Sequence, residues 1–204
     1  MSSDNSYQVN AWAPWRQNII LRRAVDTMLQ GGIIAYPTEA VWGLGCDPND
    51  EQAVERILQL KHRSVDKGLI LVAAHIDQLA PFLTDIDASQ RRILAASWPG
   101  ANTWLVQNNG LIPPWIGGQH SSVALRVSAH PVVAALSQRF GGPIVSTSAN
   151  PQGKPSARTA VAVKKYFPHG IDAMAPGQVG ANKAASTIKD LNSGVIIRGA
   201  NECR

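Results

Sequence analysis

The chain has 204 residues, 45% of them hydrophobic and 16% charged, with a net charge of +5; this supports a packed core in one large or two small domains and excludes a disordered chain. No apolar run approaches the roughly 18 residues of a membrane span, and the start of the chain lacks the basic and apolar pattern of a secretion signal. The two cysteines, Cys46 and Cys203, make neither a C-x-x-C pair nor a zinc spacing, so a reduced, cytoplasmic setting is expected, with Cys203 as inert tail.

Residues 1–14 read as a mobile tail and 15–204 as a single domain. "RQNIILRRAVDTMLQGG" spaces Ile19, Ile20, Ala24, Met28 and Leu29 as a helix would and stops at Gly31–Gly32. "IIAY" is a strand closed by Pro37, and the following "YPTEAVWGLG" reads as a strand-to-loop turn. "NDEQAVERILQLKHR" is a helix with Asn49 or Asp50 as N-cap and an apolar face of Ala53, Val54, Ile57, Leu58 and Leu60. "GLILVAA" is a buried strand. "HIDQLAPFL" and "DASQRRILAASW" are short helices. "NTWLVQ" and "SSVALRVS" are strands around the loop "NNGLIPPWIGGQH". "HPVVAALSQRFGG" is a helix with a glycine stop, "PIVSTS" a strand, and "SARTAVAVKKYF" a helix capped by Ser156. "STIKDL" and "GVIIRGA" close the chain as strands. Helices and strands alternate irregularly, with some strands adjacent, which predicts an α/β domain with a mixed sheet.

Several familiar sites are absent. There is no phosphate-binding G-x-x-x-x-G-K-[ST] loop, and Pro48 stands where "GLGCDP" would need the last glycine of a dinucleotide fingerprint. The five histidines, at 62, 75, 120, 130 and 169, have no ligand spacing and read as surface or capping residues. No Ser-His-Asp or Cys-His set supplies a nucleophile. Between Asp87 and Asp172, however, there is no acidic residue against eight Lys and Arg, which predicts a positive field suited to a polyanion. Lys61, Arg63 and Lys67 fall where a helix gives way to a strand, and crevices of α/β folds lie at strand ends. Arg126 lies inside an apolar strand, where a cation calls for a carboxylate or phosphate partner. Ser146, Ser148 and Asn150 follow Ile144–Val145 at another strand end, with Lys154 and Arg158 just beyond. Hydroxyls on loops with cations at strand ends suit a phosphorylated ligand and chemistry by positioning and charge neutralisation.

The ordered motifs "AYPTEAVWGLGCDP", "LKHRSVDKGLILVAA", "SWPGANTWLV", "VALRVSAHP" and "PIVSTSAN" closely resemble the YrdC/TsaC family, over about residues 16 to 199. That family makes threonylcarbamoyl-adenylate from L-threonine, bicarbonate and ATP, releasing pyrophosphate, and its product feeds the N6-threonylcarbamoyl modification of adenosine 37 in tRNAs. The length resembles the single-domain bacterial form. The resemblance implies a twisted, open mixed sheet flanked by helices, with a positively charged concave face. It assigns Thr38, Arg126, Ser146 and Ser186 to threonine, Arg126 by its carboxylate. It assigns Lys61, Arg63, Lys67, Ser122, Ser148, Asn150, Ser156 and Arg198 to the nucleotide, with Lys61 and Arg63 catalytic. Mg²⁺ is expected to ride on the ATP phosphates, with no dedicated protein site and no organic cofactor. Implied partners are tRNA or double-stranded RNA and the proteins that transfer the threonylcarbamoyl group; no membrane is involved. The chain departs from the family pattern at Ser64, where K-x-R is usually followed by Pro, at Ala73–Ala74, where many relatives carry His, and at "IIRGAN", which lacks the frequent R-P-G. The rival reading is an RNA-binding or ribosome-assembly module without ATP turnover. Against it stand the scarcity of aromatics at stacking spacing and the apolar contexts of Trp98, Trp104 and Trp115, which read as core.

Overall fold

The computed structural model describes residues 13–15 and 17–199; most of the expected tail, and Cys203, lie outside them. Ala13–Trp15 form a single 3-10 turn. Helix α1, Ile19–Leu29, starts where the Asn18 side chain accepts the Ile20 and Leu21 amides. Strand β1, Ile34–Pro37, is followed at once by β2, Trp42–Gly45, where the sequence reading had only a turn. Two glycines explain the difference. A Cβ on Gly45 would lie 2.8 Å from the Tyr36 ring and 2.4 Å from the Val145 carbonyl, and one on Gly43 3.2 Å from the same ring. The glycines are therefore strand residues that let an aromatic lie flat against the backbone, not breakers.

Helix α2, Glu51–Lys61, is capped by Asp50 through the Ala53 amide and ends at His62 in the left-handed conformation. The remaining elements are β3, Ile70–Ala73; a 3-10 helix, Ile76–Leu83; α3, Ala88–Ser97; β4, Asn102–Gln107; a one-turn α4, Pro114–Gly117; β5, Ser122–Val127; α5, Pro131–Phe140; β6, Ile144–Ser148; α6, Ala160–Tyr166; and the short β7, Ala173–Met174, β8, Thr187–Asp190, and β9, Ile196–Arg198. Helix α6 starts later than its sequence suggests: Thr159, not Ser156, is its N-cap. Residues before it are held extended, since the Ala157 amide bonds the Ala149 carbonyl and its carbonyl takes the Trp42 amide.

One nine-stranded sheet runs β7-β1-β2-β6-β3-β5-β4-β8-β9. It is mixed: β1–β7, β3–β5 and β4–β8 are parallel, and the remaining neighbours antiparallel. Side chains alternate across it, dividing the core. Ala35, Leu44, Leu71, Leu125 and Val145 pack with Ile57 of α2 and with Trp98 and Trp104 on one face. Ile34, Tyr36, Val72 and Ile144 pack with α1 and α5 on the other. These two helices cover only part of their face. Where the cover ends, the same alternation sets Ser146 and Ser148 beyond Ile144, Ile70 before Val72, and Ser122, Ala124 and Arg126 along β5, all half-buried. Small and polar residues thus replace the apolar ones on the uncovered half, leaving a crevice.

Candidate active site

The crevice is lined by Thr38 and Glu39 from the β1–β2 turn, Arg63 and Lys67 from the loop before β3, Ser122 and Arg126 on β5, Ser146 and Ser148 on β6, and Ser186 and Arg198 from the last strands. Nine of the twelve residues singled out in the sequence meet here. Lys61, Asn150 and Ser156 do not line the crevice; they stand behind it.

Register gives the crevice two ends. Arg126 pairs with Val72 and Ala124 with Ile70, so Arg126 is level with the C-terminal end of β3. At the other end, Arg63 donates to the carbonyl of Gly68 at 2.9 Å and that of Lys67 at 3.3 Å. Gly68 and Val72 are four residues apart, about 13 Å at roughly 3.3 Å per residue.

At the first end, Arg126 Nη2 lies 2.7 Å from Glu39 Oε2, and its Nε donates to the Gly100 carbonyl at 3.0 Å. Glu39 Oε1 accepts from Ser128 Oγ and from the Ala129 amide, both at 2.9 Å. Burial, the largest single influence on Glu39, pushes its carboxyl up; Arg126 and these hydrogen bonds outweigh it and hold the group below its ordinary value, as a carboxylate. The partner that Arg126 called for is thus this chain's own. Glu39 was missed because it lies far from Arg126 in sequence, although it stands inside the "PTEA" motif. Beside the pair, Thr38 Oγ1 donates to the Val41 carbonyl at 2.7 Å, and Ser186 Oγ lies 2.9 Å from Thr103 Oγ1.

At the second end the sheet edge is held from behind. Lys61, only 3% exposed, donates Nζ to the Asn150 carbonyl at 2.7 Å and to the Ser148 carbonyl. Burial, and then the neighbouring charge of Arg63, pull its ammonium from 10.5 to about 7. Ser148 Oγ donates to Asn150 Oδ1 at 2.6 Å, Ser156 Oγ approaches the same oxygen at 3.4 Å, and the Asn150 amide donates to the Lys154 carbonyl at 2.6 Å. Asn150 is therefore the knot of the "STSAN" turn. Burial, and then Arg198, pull the Arg63 guanidinium below its ordinary value, as expected of two cations sharing one wall. Arg198 also donates to the Ser186 carbonyl at 3.0 Å. Lys67 is exposed and reaches Gln152 at 3.3 Å. Ser64, in the place of the usual proline, caps the turn through the Asp66 amide and so keeps the loop ordered by a hydrogen bond where a ring would do so.

The tryptophans fall as expected: Trp98 and Trp104 are core, and Trp115 packs against it while donating to the Pro48 carbonyl. Of the histidines, His120 lies on the crevice wall and His130 is buried, with Nε2 3.0 Å from the Gln178 carbonyl.

A family model described as telomere recombination, for Sua5, YciO and YrdC proteins, matches residues 26–200. Threonylcarbamoyl-AMP synthase of Saccharophagus degradans is 54% identical over 184 residues, 90% of this chain and 96% of that one. P. abyssi Sua5, solved in complex with L-threonine, is 33% identical with a TM-score of 0.82 over 87% of this chain, which spans only 53% of that protein. E. coli YciO shares the fold, with a TM-score of 0.81 over 91% of each chain at 24% identity.

Proposed function

The chain belongs to the Sua5, YciO and YrdC family, and we propose that it condenses L-threonine, bicarbonate or CO2, and ATP into threonylcarbamoyl-adenylate and pyrophosphate, for N6-threonylcarbamoyladenosine at position 37 of tRNA. The observation that carries this reading is the two-ended crevice. An arginine anchored by an ion pair with Glu39 and a hydrogen bond to the Gly100 carbonyl suits one carboxylate. Arg63 and Lys67 at the far end suit a triphosphate.

Threonine enters with its carboxylate on Arg126 and its hydroxyl near Thr38, whose oxygen still accepts while its proton is committed to Val41. The threonine amine adds to CO2 with loss of a proton, or to bicarbonate with loss of water, and gives an N-carboxylate. A carboxylate oxygen then attacks the α-phosphate of ATP in line, the bond to the β-phosphate breaks, and pyrophosphate leaves. Arg63 and Arg198 offset the charge that develops on the phosphoryl oxygens, and holding three reactants in one crevice supplies much of the rate. Lys61 acts through the Ser148 and Asn150 carbonyls it binds, as a positioning residue, with Asn150 and Ser156 in the same role. In this reading Mg²⁺ arrives on the ATP phosphates, as part of the substrate. The product is a mixed anhydride that water hydrolyses, which favours direct transfer to downstream threonylcarbamoyl-transfer proteins. Contact with tRNA or double-stranded RNA would draw on the basic residues of the acid-free middle. No helix among the described residues is long and apolar enough to cross a membrane.

The test is pyrophosphate release from ATP and bicarbonate with and without L-threonine. Release that requires threonine supports the reading. RNA binding that weakens steeply with salt, with no turnover, would replace it with the RNA-binding module.

A further inference from the structure

The two ends of the crevice differ in net charge. Arg126 forms an ion pair with Glu39 at 2.7 Å, with the two side chains only 11% and 12% exposed. Arg63 and Lys67 form no ion pair among the described residues. Two anions must nevertheless be sorted between these ends: an amino-acid carboxylate with one charge and a triphosphate with about four. An arginine alone does not make that choice, because guanidinium binds phosphate as well as carboxylate and the more highly charged ion is favoured.

We propose that Glu39 is the selectivity-determining residue of the crevice. By neutralising Arg126 it reserves that end for a monoanionic carboxylate and leaves the polyanion to Arg63 and Lys67. The proposal rests on the reading of the site as one for an amino acid and ATP. The geometry supports it in two ways. First, Glu39 is fixed by donors other than Arg126, since Ser128 and Ala129 hold Oε1 at 2.9 Å while Oε2 faces the guanidinium; an arriving anion cannot displace it by swinging it aside. Second, Arg126 is anchored before any ligand arrives, by Nε donating to the Gly100 carbonyl at 3.0 Å and by the ion pair of Nη2 with Glu39 at 2.7 Å. Arg126 also lines the crevice, so its guanidinium can meet a carboxylate there. A phosphate group brought to the same place would set its charges against the Glu39 carboxylate, itself only 12% exposed, where like charges repel more strongly than in water.

The experiment measures threonine-dependent pyrophosphate release over a grid of threonine and ATP concentrations, for the wild type, Glu39→Gln and Glu39→Asp. Glutamine keeps an acceptor for Ser128 and Ala129 and removes the charge. In Glu39→Gln the KM for threonine should rise at least about tenfold, and should rise further as ATP increases, the pattern of ATP competing at the threonine end. Glu39→Asp should restore ATP-independence of that KM. A raised KM that does not depend on ATP would mean that Glu39 only holds the fold and would overturn the proposal, as would an unchanged KM. Should Glu39→Gln not fold, the wild type still decides. Inorganic tripolyphosphate should inhibit it competitively against ATP and not against threonine; competition with threonine overturns the proposal. A wild type without threonine-dependent turnover and without threonine binding by calorimetry removes the functional reading and this proposal together, whereas turnover with the wrong inhibition pattern removes this proposal alone.

Discussion

Replacing Lys61 with Met should make the stability gap between wild type and variant depend on pH. Lys61 is buried with its ammonium lowered from 10.5 to about 7. In the unfolded chain the same group titrates near 10.4. Between those values the unfolded state holds one more proton than the native state. The contribution of Lys61 to wild-type stability therefore rises with pH, by about 1.4 kcal/mol per unit. Below pH 7 the cost of burying the charge is present in full; towards pH 10 it disappears. Methionine has no such group, so its curve lacks this slope. It also leaves the Ser148 and Asn150 carbonyls without their donor, a loss of about 1–3 kcal/mol each that is the same at every pH. From pH 7 to 9 the wild type should gain about 2.3 kcal/mol on the variant, or about 5–9 °C in Tm for a chain of this size. Unfolding of both proteins by urea at pH 6, 7, 8 and 9 measures it. Two curves that stay parallel over that range would show that the carbonyls keep Lys61 protonated and that burial does not govern it.

Arg126→Ala should raise the threonine requirement far more than the ATP requirement, by about 2–5 kcal/mol or at least thirtyfold, and should lower stability because Glu39 is left buried without its cation; substrate titrations and melting curves read both. Ser148→Ala should cost activity and some stability together, since its hydroxyl donates to Asn150 at 2.6 Å, and Ser146→Ala should cost activity with less change in melting. Arg63→Ala should slow adenylate formation at least tenfold with the fold kept, as circular dichroism would show; full turnover would leave Arg63 idle.

Arg126 was legible in the sequence because a cation in an apolar strand stands out locally. Glu39 was not, because the ion pair joins a turn to a strand through the tertiary fold. The serines of "STSAN" were legible as a strand end, but their division of labour was not. Sequence shows hydroxyls and an amide; only packing shows Ser146 turned to the crevice and Asn150 turned inward to tie the loop. The same limit applies to Lys61, which reads as one of three cations on a helix end and is in fact buried against two carbonyls. Helices α1, α2 and α5 were readable from apolar spacing and caps. Strand β2 was obscured because its glycines serve the Tyr36 ring, and β7 because two residues carry no periodicity.

The measurement that bears most directly on the account is product identification. The protein is incubated with ATP, L-threonine and ¹³C-bicarbonate, and the nucleotide products are resolved by mass. The account predicts threonylcarbamoyl-adenylate carrying one ¹³C, formed in step with pyrophosphate and absent when threonine is omitted. Pyrophosphate release that leaves AMP or threonyl-adenylate without the labelled carbon would contradict it.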